Sequence, residues 1–107
     1  MLYTFKSKVT GNLIMLPAHG TRLLRIIGKE PGAQGIVLPA QMPDALRALE
    51  AALAEEDAAL REAAQAAKAA GEEVPEPKDV SLRQRAKPFM DMLRRCQAAE
   101  ESIVWGV

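Results

Sequence analysis

Two helically spaced groups of basic residues are the part of this sequence best suited to act on another molecule. Arg22, Arg25 and Lys29 recur at i, i+3 and i+7, and Arg83, Lys87 and Arg94 follow at comparable spacing along a later segment. On a helix each group forms a row of cations along one flank. Such a row can grip phosphate or carboxylate groups. The bland alternative is that each row is a solvated face, or is neutralised by acidic residues elsewhere in the chain. Aromatic residues interleaved with the cations, the usual companions in single-stranded nucleic-acid binding, are missing. Nucleic acid is therefore an unexpected partner.

The other reactive side chains are scattered. His19 lies in Pro17-Ala18-His19-Gly20-Thr21, just before a helical segment. Histidine titrates near neutral pH and could act as a general base. No carboxylate lies within ten residues of it and no cysteine nucleophile at a useful spacing, so it reads as a loop histidine. Cys96, the single cysteine, falls on an apolar helix seam and reads as a buried thiol. One histidine and one cysteine cannot supply the soft ligands of a zinc centre. Glu55-Glu56-Asp57 is acidic, but successive helical residues diverge, so the group reads as a solvated face. The glycines of Gly28-Lys29-Glu30-Pro31-Gly32-Ala33-Gln34-Gly35 suggest a phosphate loop. Ile36-Val37 follows Gly35 where a Lys-Ser/Thr pair would be needed, so an ordinary loop is expected. No cofactor or metal is expected. Arg85 lies near an apolar seam and should have a carboxylate or carbonyl partner, because an unpaired buried charge is expensive. Trp105 reads as a core or interface anchor.

These side chains must be positioned by a small scaffold. A chain of 107 residues is one domain by the usual prior, here a compact α+β domain over 1–107. Aromatics make up only 4% of it, so the core should be mainly Leu, Ile, Val, Met and Ala. Net charge is zero but segregated: residues 1–47 carry +4, residues 48–79 carry −6 and residues 80–107 carry +2. That pattern predicts that Arg22, Arg25 and Lys29 lie within reach of acidic groups from 50–76. A nucleic-acid binder would more often be net basic. A lone cysteine fits a reducing compartment. The opening MLYTFKSK lacks the apolar stretch of a signal peptide, and no run has the ~20 apolar residues of a membrane span. The reading is a cytoplasmic protein with no membrane partner.

The first sixteen residues read as a β-hairpin, with Tyr3 and Phe5 on one face and Thr4 and Lys6 on the other. Leu13-Ile14-Met15-Leu16 reads as a strand covered on both faces. A short helix is expected over 20–28, capped by Gly28. Residues 29–43 read as a loop anchored by Ile36-Val37-Leu38. A long helix runs from Pro43 to Ala70, with Ala-Leu recurring every seven residues at Ala45, Ala52 and Ala59. Residues 72–79 read as a flexible polar linker. Ser81 and Gln84 match a capping box. Leu82, Ala86, Phe89, Leu93 and Cys96 then form a packed seam, and Pro88 should kink this helix or mark its start. The closing Ile103-Val104-Trp105 reads as a strand beside the first. The expected architecture is α+β: a three-stranded sheet (N-terminal hairpin plus C-terminal strand, order 2-1-3) packed against three helices, in the order β-β-α-α-α-β.

The opening MLYTFKSK followed by GNLIML, the stretch RLLRIIGKEPGAQGI, the PAQMPDAL start of the long helix, the SLRQRA helix and the closing VWGV are similar to a family of small bacterial proteins. That family is catalogued as a domain of unknown function, number eighteen-forty. The resemblance covers nearly the whole chain apart from about residues 55–79. It implies one compact domain, and it implies no activity, cofactor or site residue.

The function expected is that of a small bacterial protein acting as a non-enzymatic, self-associating interaction module. If the two long helices pair, the 60–70 end of the longer one overhangs. Its small residues would let a second copy approach through Ala52, Ala59, Leu60, Ala63 and Ala66, giving a homodimer. An unidentified protein partner is also compatible. The alternative is a binder of an anionic ligand or nucleic acid through Arg22, Arg25, Lys29, Arg83, Lys87 and Arg94. An enzyme would need a concave site gathering His19, Arg85 and a carboxylate.

Overall fold

The structure is a computed structural model and describes residues 2–73 and 82–106. Strand β1 (Tyr3–Lys6) and strand β2 (Leu13–Met15) form the N-terminal hairpin. Helix α1 (Pro17–Ile26) leads to strand β3 (Gly35–Val37), then a 3-10 turn (Pro39–Gln41) and helix α2 (Met42–Ala69). Helix α3 (Leu82–Ala99) and strand β4 (Ile103–Trp105) close the fold. Among the described residues the fold is α+β, with three α-helices and a sheet of four antiparallel strands in the order β2-β1-β4-β3.

The terminal strand does lie beside the first, with Phe5 opposite Trp105 and Lys6 opposite Val104. The expected three-stranded sheet is corrected by β3, which pairs Ile36 with Val104 on the far side of β4. Gly35–Val37 has no periodicity of its own, being three residues long. It becomes a strand because β4 offers it a free edge. Within the expected loop anchor only Val37 is inward and fully buried. Ile36 and Leu38 point out, as the two-residue strand period requires.

Pro17 ends β2 and also opens α1 at its first turn, where a missing N–H costs nothing. The helix therefore begins three residues earlier than its apolar spacing implies, and His19 is helical, not a loop residue. Leu23 and Leu24 are buried on its inner side. Gly28, at φ +80°, closes it: Gly28 N–H donates to the Arg25 carbonyl and Lys29 N–H to the Leu24 carbonyl. Gly71 repeats this cap on α2, through the Lys68 and Ala67 carbonyls. Glu100 does so on α3, at φ 56° and without the freedom of a glycine.

On α2, Met42, Ala45, Leu49 and Leu53 are buried at helical spacing. They face the α3 seam of Leu82, Ala86, Phe89, Leu93 and Cys96, buried to its last member. Fully burying one such large apolar side chain is worth about 1.5–3 kcal/mol. Pro88 lies inside α3 with its ring exposed, so the helix neither starts nor stops there. Ser81, of the capping box, and most of the expected linker, 74–79, lie outside the described residues.

All four aromatics meet between the sheet and α3. Phe5 is at their centre, 4.9 Å from Phe89, 5.9 Å from Trp105 and 6.0 Å from Tyr3 by ring centroids. The core is thus aromatic on its sheet side and aliphatic between the helices. The same rings fix the glycine-rich loop. The Tyr3 hydroxyl donates to the Pro31 carbonyl at 3.0 Å, and Trp105 Nε1 donates to the Gly32 carbonyl at 3.1 Å. Gly35 lies against the indole, where an added Cβ would come within 1.9 Å of a ring carbon.

Candidate functional site

The two basic rows meet the acidic stretch of α2. Arg22 on α1 approaches Glu56 at 3.4 Å. Arg83 on α3 approaches Asp57 at 2.7 Å, and Arg94 approaches Glu50 at 3.5 Å and Asp91 at 3.4 Å. Lys29 takes a different partner: its Nζ donates to Gln41 Oε1 at 2.7 Å, which also accepts the Leu38 N–H at 3.0 Å. That pair of bonds ties the end of α1 to the 3-10 turn. Arg25 and Lys87 are exposed on the same two helices. Exposed ion pairs of this kind contribute about 0–1 kcal/mol each. They orient the helices more than they stabilise them.

Glu56 does more than a solvated acid would, which corrects the plain reading of Glu55-Glu56-Asp57. Its side chain is only 23% exposed. While Oε2 faces Arg22, Oε1 accepts the Leu82 N–H at 3.0 Å. It thus satisfies an orphan donor at the start of α3 and places negative charge at the positive end of that helix. One carboxylate joins α1, α2 and α3. Nothing local in the sequence marks it, because its partners are 34 and 26 residues away.

Other expectations fall as follows. Cys96 is fully buried on the seam, and its thiol contacts the Ser7 hydroxyl at 3.2 Å. Trp105 is a core anchor, 2% exposed. Arg85 departs from expectation: its Nε is buried without a hydrogen-bond partner. Among the described residues no group of three His, Cys, Asp or Glu could hold a metal ion. No helix among them is long and apolar enough to cross a membrane.

At the far end of α2, Ala59, Leu60, Ala63 and Ala66 are exposed and Ala52 is half-buried. Leu60 is 43% exposed, and Ala67 is the one buried residue of that end.

The outer face of the sheet is a surface that the sequence reading missed. Tyr3, Phe5, Val37, Ile103 and Trp105 point inward to the helices. The alternate residues point away from them. Leu2, Ile14 and Leu16 are 57%, 59% and 54% exposed, and Ile36 and Leu38 are 42% and 44% exposed. The expectation that Leu13–Leu16 is covered on both faces is therefore wrong, because every helix packs on one side. The available signal was topological: in an antiparallel sheet with one helical layer, half of each unbroken apolar run must face outward.

Register places these residues. Ile14 is opposite Thr4, and continuing that ladder sets Leu16 opposite Leu2. Val104 lies between Lys6 and Ile36, and continuing that ladder sets Leu38 opposite Ser102. The apolar side chains thus occupy two opposite corners of the face. The other two corners are hollow. One hollow, of about 490 Å³, lies between Leu2 and Thr4 on one side and the Gly32–Gln34 loop on the other. The second, of about 480 Å³, is lined by Lys6, Lys8, Asn12, Glu101 and Ser102. Two smaller cavities lie elsewhere: 280 Å³ between Leu53, Met90 and the Arg83–Lys87–Arg94 row, and 210 Å³ beside Thr10, Asp91 and Arg95. Neither His19 nor Arg85 lines any of the four.

A family model described as a domain of unknown function (DUF1840) matches residues 1–105, including the 55–79 region. No curated protein and no solved structure matches the chain.

Proposed function

The chain belongs to the DUF1840 family, and we propose that it is a non-enzymatic interaction module that associates with a second copy of itself. One observation carries this reading: five large apolar side chains stand exposed on a single face of the sheet. Large exposed apolar side chains gathered on one face and rimmed by polar residues are a mark of protein–protein contact sites. The exposed Ala59, Leu60, Ala63 and Ala66 of α2 are a second surface through which copies could meet.

The anion-binding alternative is weakened by the pairing of the basic rows. Arg22, Arg83 and Arg94 face carboxylates, and Lys29 faces Gln41. An anionic ligand would have to displace those partners. Neither His19 nor Arg85 lines any of the four cavities described, so those cavities lend no support to catalysis by charged residues alone.

Light scattering of the purified chain at tens of micromolar tests the proposal. A dimer mass is expected. A monomer mass, combined with salt-sensitive retention on heparin, would replace the proposal with the anion binder.

A further inference from the structure

We infer that the second copy docks on the outer face of the sheet, not on the end of α2, with a twofold axis lying in the plane of that face. This rests on the self-association proposed above and names the surface that performs it. The first argument is area. The five exposed side chains offer on the order of 400 Å² of apolar surface per copy. With the flanking Thr4, Lys6, Ser102 and Val104, two copies would cover about 1,000 Å² in total, near the lower limit for a specific interface. The end of α2 offers one large apolar group, Leu60, among alanines, and falls well short of that.

The second argument is the pattern. A twofold interface brings one patch onto itself, so the patch must match its own image. Here the apolar corners, Leu2/Ile14/Leu16 and Ile36/Leu38, lie across one diagonal of the face. A twofold along that diagonal lays each apolar corner on the same corner of the partner copy. It also crosses the two sets of strands near 90°, one of the two packings that sheets adopt.

A twofold along the second diagonal also superposes apolar corners, and it brings the corner of Lys6, Lys8 and Glu101 onto its own image. Along the first diagonal, that corner faces the hollow beside Gly32–Gln34, a loop with no charged residue.

Light scattering of three proteins at tens of micromolar tests this. Ile14 is more than half exposed, so Ile14→Lys should fold and match the thermal midpoint of the unsubstituted chain at high dilution, yet at tens of micromolar its mass should halve relative to the unsubstituted dimer. Leu60→Lys should remain a dimer. A dimeric Ile14→Lys beside a monomeric Leu60→Lys would overturn the sheet-face interface and leave self-association standing. A monomeric unsubstituted protein would overturn both. Spin labels provide a readout that does not depend on the lysine variants. Labels at Thr4→Cys should give the short inter-copy distance, and labels at Ala63→Cys the long one. Cys96, fully buried, should stay unlabelled. The reverse order of distances would place the interface on α2.

Discussion

The two faces of the sheet are made from the same strands and have opposite fates. On the inner face, Tyr3, Phe5 and Trp105 meet Phe89 of α3 in one aromatic cluster. On the outer face, Ile14, Ile36 and Leu38 are almost as apolar, yet each remains substantially in water. The difference is not composition but which side the helices occupy. A residue one position along a strand changes from an anchor of the fold to a candidate for contact with another molecule. Stability should therefore be concentrated on the inner face and association on the outer face.

The largest expected effect is at the centre of the inner face. Phe5→Ala removes the ring that touches the three other aromatics, and should cost about 3–5 kcal/mol in chemical denaturation. That is a large part of the total stability of a domain this size. A loss below about 1 kcal/mol would erase the contrast between the faces. Leu53→Ala tests whether the inner side extends as far as the helix pair. Leu53 is 7% exposed against α3, and the expected loss is about 2–5 kcal/mol. A thermal midpoint indistinguishable from that of the unsubstituted chain would confine the core to the sheet side.

Gly35→Ala probes the inner face by overfilling it. The added methyl group meets the Trp105 indole, so a destabilisation of about 1–3 kcal/mol is expected, with altered tryptophan fluorescence. Unchanged emission and stability would mean that the indole has room to move. The smallest effect belongs to the outer face. Ile36→Thr keeps a branched side chain in β3, and should shift the stability of the dissociated chain by no more than about 0.5 kcal/mol. A much larger loss, measured at high dilution, would show that the outer face supports the fold of a single copy.

Helices were legible in the sequence where their period was long. The α3 seam of Leu82, Ala86, Phe89, Leu93 and Cys96 spans four turns, and every member is buried. The leucine stripe expected on α2 was legible only in part: Leu49 and Leu53 are buried and Leu46 is half-buried, but Leu60 is 43% exposed. The segregation of charge pointed correctly to Arg22 meeting the acidic part of α2, but not to Lys29, whose ammonium donates to Gln41 instead. Legibility failed where the outcome depended on a distant partner. Gly35–Val37 is too short to show a period and is a strand only because β4 pairs with it. Glu56 looked like any acid on a solvated helix, yet it accepts the first N–H of α3 and faces Arg22.

The sequence by itself determined the α+β class, the long helices, the Gly28 cap of α1 and the buried seam of α3. These follow from periodicity and from φ preferences that each segment carries alone. The tertiary structure decided the fourth strand, the three-helix role of Glu56 and the exposure of the outer sheet face. Each of these depends on where separate segments come to lie relative to one another. Alternation along a strand says that two faces differ, and only the packing of the helices decides which one is left in water.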